Sequence, residues 1–193
     1  MIRSNPKRTK LFHKPHSSIP AKNRPVNPKS QNEGPSVMFW GFFFSGGIGP
    51  LVSVEGKING EKYKSILENY LIPFLKNNGQ NLTFIQDNAP VHTCRLVSEF
   101  LVDNEVPVLN WPPQSPDLNP IENLWHILKS RRAKKFGPVR TKSDIITQTL
   151  EIWNEFGIEI CEKLSRSLKK RLLEVIEKKE HKLIIETLNK YFF

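Results

Sequence analysis

Acidic side chains are missing from the first 32 positions of this chain, and no aspartate occurs before Asp87. The same opening stretch holds eight basic residues (Arg3, Lys7, Arg8, Lys10, Lys14, Lys22, Arg24 and Lys29), leaving 21 of the 29 basic residues to face 19 acidic ones. Most of the formal net charge of +10 therefore sits in one arm. Such a bias favours a polyanionic partner without naming it. Cysteine is scarce as well. Cys94 and Cys161 cannot build a disulfide framework, and neither belongs to a CxxC or Cys/His cluster that would hold zinc, so a reducing compartment fits. Long apolar runs are also lacking. The most apolar stretch, Val37 to Phe44, is too short to span a bilayer and too far into the chain for a secretory signal. An intracellular location with no membrane partner is expected, and "VMFWGFFF" reads as a buried strand.

What is present falls into three parts. Residues 1–35 are rich in Pro, Lys, Ser and Asn and poor in large apolar side chains; they cannot offset their ordering entropy and are expected to form a basic, proline-rich arm. Order is expected from Ser36. Val37 to Phe44 and Leu51 to Val54 read as a hairpin around "SGGIGP". Asn59 can cap a helix from Gly60 to Leu75, ended by Pro73 and "NNGQN". Leu82 to Gln86 reads as a buried strand, Thr93 to Asn104 as a helix and Val106 to Leu109 as a short strand. Asn119 and Pro120 open a further helix with an apolar stripe at Ile121, Leu124, Trp125 and Leu128. Helices are then expected over Ser143 to Glu155, Ile158 to Lys169 and Leu172 to Asn189. This order describes an α/β fold, a mixed sheet flanked by helices over 36–142, with a helical C-terminal region over 143–193.

Two carboxylates stand out. Asp87 directly follows a buried strand, where the sheet holds a side chain toward the crevice in which ligands of open α/β sheets sit. The competing reading is a turn-forming Asp before Asn-Ala-Pro. Glu122 lies three residues after Asn119, a capping-box pattern that would account for it structurally. Its functional reading needs it to face the sheet edge across from Asp87, with His126 one turn further along the same side.

The surroundings of this pair resemble a family. "SVMFWGFF", "FIQDNAPVH" and "WPPQSPDLNPIENLW" are similar to the motif blocks of mariner-type transposases in the branch allied to the nematode Tc elements. The resemblance runs from about Leu11 to about Ile176. It implies a ribonuclease H-like fold, an Asp, Asp, Glu triad and DNA cutting and joining by metal-dependent phosphoryl transfer. It makes Asp87 and Glu122 catalytic metal ligands, with Mg²⁺ or Mn²⁺ as the cofactor, since hard cations want carboxylate oxygens. It leaves Asn88, His92 and His126 as supporting residues, and DNA as the partner in the nucleus. Lys129, Arg131, Arg132, Lys134, Lys135, Arg140 and Lys142 are the candidate phosphate contacts, with no acid between Glu122 and Asp144.

The chain also departs from the family pattern. The first Asp of the triad belongs on the first strand of the fold, and nothing upstream of Asp87 supplies it; Glu33, Glu55, Glu61 and Glu68 are the acids there. The expectation is a truncated catalytic domain with its first strand missing, an exposed sheet edge, weak metal binding and no cleavage unaided. Whether it acts as an enzyme is left open by the incomplete triad. The alternatives are a non-catalytic module that binds DNA or regulates transposase, as a homodimer or with an intact transposase subunit, and a nuclease completed by another acid, Glu55 first.

Overall fold

The computed structural model describes residues 9–13, 35–78, 82–109 and 119–177. Its elements are β1 (Thr9–His13), β2 (Met38–Phe44), β3 (Gly47–Val54), α1 (Gly60–Ile66), a π-helical turn (Leu67–Leu71), α2 (Ile72–Asn78), β4 (Leu82–Ile85), α3 (Pro90–Thr93), α4 (Arg95–Asp103), α5 (Pro120–Phe136), α6 (Lys142–Asn154) and α7 (Ile158–Glu177). The sheet order is β3-β2-β1-β4, with β1 antiparallel to β2 and parallel to β4. An isolated parallel bridge between Phe84 and Val108 extends the sheet beyond β4; it is all that forms of the strand expected at Val106 to Leu109.

Alternation along β2 explains the two layers around this sheet. Phe39 and Phe43 enter one apolar cluster with the stripe of α5 and with Ile152, Trp153, Phe156, Cys161, Leu164 and Leu168 of the C-terminal region. Trp40 and Phe42 enter the other, with Tyr63, Leu67, Leu71, Phe84, Val97 and Leu101. Side chains of a strand point to opposite faces in turn, so a strand covered on both sides reads as the continuous apolar run seen here. At the hairpin, Ser45 and Gly46 form the turn, and the register shifts between Gly41 and Phe43. That bulge accommodates Pro50, which cannot donate to a regular ladder, and the Trp153 indole N–H donates to the buried carbonyl of Gly49 at 2.9 Å.

Four expectations are corrected. The sheet has a strand where one was expected to be missing: Thr9–His13, within the expected arm, pairs with both β2 and β4. The reason is that β2 and β4 each present backbone donors and acceptors toward the same slot, and any extended five-residue segment can satisfy them. Second, the helix after Asn59, expected to run to Leu75, runs to Asn78, inside "NNGQN". The Asn59 side chain caps it by accepting from the Lys62 amide at 2.9 Å, and the chain continues to Asn78 through the π turn, where the Ile72 amide donates to the Leu67 carbonyl. Third, the helix expected at Thr93 to Asn104 is broken at Cys94, whose extended backbone separates α3 from α4. Fourth, α7 runs unbroken through Lys169 to Glu177; the remainder of the helix expected over Leu172 to Asn189 lies outside the described residues, as do most of the arm and 110–118.

Candidate active site

Asp87 stands two residues beyond Ile85, the last residue of β4, a strand buried along its whole length. Its carboxylate is a quarter exposed, and its Oδ1 accepts from two donors: the Ala89 amide at 3.1 Å and His92 Nδ1 at 2.6 Å. The turn expected of Asp-Asn-Ala-Pro is therefore formed, and it is formed by the same oxygen that holds the histidine. Pro90 at the start of α3 and the His92 amide bond to the Ala89 carbonyl bring the ring back toward Asp87. His92 is fully buried. Both groups that face its Nδ1, the Asp87 carboxylate and the Asp87 carbonyl, accept hydrogen bonds, so this nitrogen carries the proton.

Glu122 occupies the third helical position of α5, half-buried. Asn119 caps that helix by accepting from the Ile121 amide at 3.4 Å. The reciprocal capping box is found one helix later, at α6, between Thr141 and Asp144. Two turns after Glu122, desolvation holds the Lys129 ammonium below the usual lysine range, an effect opposed by the negative charge of Glu122. His126 is exposed on the intervening turn, and Asn88 is exposed at the Asp87 turn.

The two carboxylates leave one packed cluster: Asp87 follows Ile85 by two residues, Glu122 follows Ile121 directly, and both isoleucines belong to the cluster built on Phe39 and Phe43. β1 and β4 run parallel, so their carboxyl ends lie at the same edge, and α5 packs against β1. Among the described residues no group of three or more His, Cys, Asp or Glu comes together as a metal cage. Two carboxylates nevertheless suit a hard divalent cation, which commonly takes one or two of them and fills its remaining positions with water and phosphate oxygens.

This is the setting in which a family model for the DDE superfamily endonuclease matches residues 9–146. The chain belongs to that family, in its mariner/Tc1 transposase branch. It is similar to the Tc1 transposase of Caenorhabditis elegans, at 37% identity over 153 residues, 78% of this chain and 55% of the relative. The Tcb1 transposase of Caenorhabditis briggsae is 35% identical over 79% of this chain and 55% of its own length. The chain thus spans about half of the curated relatives it matches. Among solved structures, a pre-cleavage Mos1 transpososome superposes with a TM-score of 0.70 over 88% of this chain and 55% of that one, at 17% identity. The Mos1 transposase catalytic domain gives 0.64 over 84% and 77%, at 20% identity. These likenesses establish the ribonuclease H-like fold of this DDE domain. Mos1 catalytic-domain structures exist with Mn and with Mg, and Mos1 has been solved as a paired-end complex with its left transposon end.

Within the DDE domain, the basic stretch after Glu122 divides. Arg131 stacks over the Phe156 ring at 5.0 Å, Arg132 donates to Gln148, and Lys135 pairs with Glu151 at 2.7 Å and with Glu155. These three tie α5 to α6 and to the two residues that follow it. Lys129, Lys134, Arg140 and Lys142 are exposed, and among the described residues they form no ion pair. Sequence reasoning missed Tyr63 and Gln86, which are hydrogen-bonded to each other and, through the Gln86 amide, to the His92 carbonyl.

Proposed function

We propose that this chain is the catalytic-domain portion of a transposase that binds DNA and does not cut it unaided. The observation that carries this reading is the composition of β1. It fills the slot beside β4 with Thr9, Lys10, Leu11, Phe12 and His13, none of which is a carboxylate. The family resemblance assigns the first Asp of the triad to the first strand. Glu55 is a poor substitute. It follows β3, the strand farthest from β4 in the order β3-β2-β1-β4, and three strand spacings amount to roughly 14 Å, more than metals about 4 Å apart can bridge.

Asp87 and Glu122 would hold one divalent cation, Mg²⁺ or Mn²⁺, weakly. When bound, such an ion polarises a phosphate and lowers the pKa of a water. The protein's own part is to fix Asp87 at the end of a buried strand, to present Glu122 on the first turn of α5, and to receive the DNA backbone on Lys129, Lys134, Arg140 and Lys142. The nucleus is the corresponding location, and a second copy or an intact transposase subunit could supply what β1 lacks.

The test is nicking of supercoiled plasmid with Mg²⁺ or Mn²⁺ by the native chain and by Asp87→Ala. Equal, background-level nicking is expected. Nicking by the native chain that Asp87→Ala abolishes would overturn the inactivity. Co-purification of the chain with an intact transposase would favour the regulatory reading over a simple remnant.

A further inference from the structure

Tyr63 is a fully buried polar side chain for which metal-dependent strand cutting has no direct use. Its phenol donates to Gln86 Oε1 at 2.7 Å, and the Gln86 amide in turn donates to the His92 carbonyl at 3.3 Å. Its ring lies against the His92 imidazole, centroids 4.3 Å apart and 34° from parallel. His92 then meets Asp87 Oδ1 through the protonated Nδ1. Burial, and after it the nearby charge of Asp87, raise the Tyr63 pKa well above its ordinary value, so the phenol is a fixed neutral donor. Two contacts from one tyrosine, one to the ring of His92 and one through Gln86 to its backbone, fix both the position and the plane of that imidazole.

We infer that Tyr63, Gln86 and His92 form a buried positioning relay that binds Asp87 by Oδ1 and so directs its other oxygen, Oδ2, toward a divalent cation. The inference rests on the reading of Asp87 as a metal ligand and adds to it which residues aim that ligand and through which oxygen. Asp87 has two ways of being held, and they differ in kind. The Ala89 amide bond is local to the turn, whereas the His92 bond is anchored on α1 through Gln86 and Tyr63, which is itself 23 residues from Gln86 in sequence. The relay therefore couples the aim of the carboxylate to the packing of α1 against α3 and α4. A purely structural role would tie α1 to the sheet and leave metal affinity untouched.

Two readouts separate these cases. The first is Mn²⁺ binding to the full chain, followed by electron paramagnetic resonance. Asp87→Asn is expected to lose the site. His92→Leu should weaken binding about 10- to 100-fold, the usual cost of removing the partner that orients a metal ligand. His92→Asn, which keeps a donor near the place of Nδ1, should recover most of it, and Tyr63→Phe, which keeps the ring and removes only the hydroxyl, should fall between. If Asp87→Asn loses Mn²⁺ while His92→Leu and Tyr63→Phe bind it as the native chain does, the relay is refuted and the site survives. If Asp87→Asn binds like the native chain, or the native chain binds no Mn²⁺ at millimolar metal, the site reading fails instead. The second readout needs no metal. Side-chain ¹⁵N spectra should show His92 protonated at Nδ1 in the native chain, with the Nδ1 signal shifted in Asp87→Asn and in Tyr63→Phe. A native His92 protonated only at Nε2, or a signal unmoved by both substitutions, overturns the relay whatever the metal does.

Discussion

Replacing Lys129, Lys134, Arg140 and Lys142 together by alanine is expected to remove most of the DNA affinity that this corner contributes, and to do so in a salt-dependent way. Each phosphate neutralised on duplex DNA contributes about −0.9 to the slope of log affinity against log salt. Four contacts therefore give about −3.6, which over the fourfold rise from about 50 to about 200 mM salt is an affinity loss of about 150-fold. The quadruple variant should flatten the slope by about that amount, with little dependence on DNA sequence, because phosphate contacts position without specifying. The matched control is Arg131→Ala, Arg132→Ala and Lys135→Ala combined. It removes nearly as much formal charge, but these side chains are committed to Phe156, Gln148, Glu151 and Glu155, so it should lower the urea midpoint and leave the slope nearly unchanged. Fluorescence anisotropy of a labelled duplex, titrated at five salt concentrations, measures both. A control triple that flattens the slope as much as the quadruple would refute the division of the basic stretch.

Three further outcomes are expected. Trp153→Phe leaves the buried Gly49 carbonyl without its indole donor, at a cost of about 1–3 kcal/mol, read as a lower urea midpoint at unchanged m-value; a shift near zero would mean that the bulge does not depend on this bond. Gly41→Val should destabilise the hairpin strongly, because even a Cβ there would approach the Leu51 side chain to 2.8 Å and the Trp153 ring to 3.3 Å; thermal melts of the variant test it. Burial pushes the Cys161 thiol up to about 11. Between its ordinary value near 9 and that value the unfolded chain binds fewer protons than the folded one, so this thiol's contribution to stability falls as pH rises through that window. At pH near 8, iodoacetamide should accordingly label half-buried Cys94 and spare Cys161 until the chain is unfolded.

The parts legible in the sequence were those whose cause is local. Asn59 and Asn119 cap their helices as their residue types dictate, and the stripe Ile121, Leu124, Trp125 and Leu128 is buried because its spacing leaves it no other face. The buried strand "VMFWGFFF" and the position of Asp87 after β4 follow in the same way. What was not legible is decided at a distance. β1 owes its state to the open backbone groups of β2 and β4, not to the pattern of Thr-Lys-Leu-Phe-His. The Tyr63 hydroxyl finds Gln86 across 23 residues, and Lys135 finds Glu155 across 20. A run of positive charge in sequence likewise cannot say which members face solvent and which face an acidic neighbour. The π turn at Leu67–Leu71 was not legible either, although the helix passes Pro73 as expected and ends within "NNGQN".

Backbone pairing asks only that a segment be extended; it is indifferent to what the segment's side chains can do. Thr9–His13 satisfies the sheet on those terms, so the architecture around Asp87 and Glu122 closes whether or not the strand beside β4 brings a carboxylate. Melting temperature, denaturant midpoint and exchange protection of β4 would then report the same intact domain for a working and a non-working site. In this chain the sheet is served by the backbone of these five residues, whereas the proposed metal chemistry would depend on their side chains.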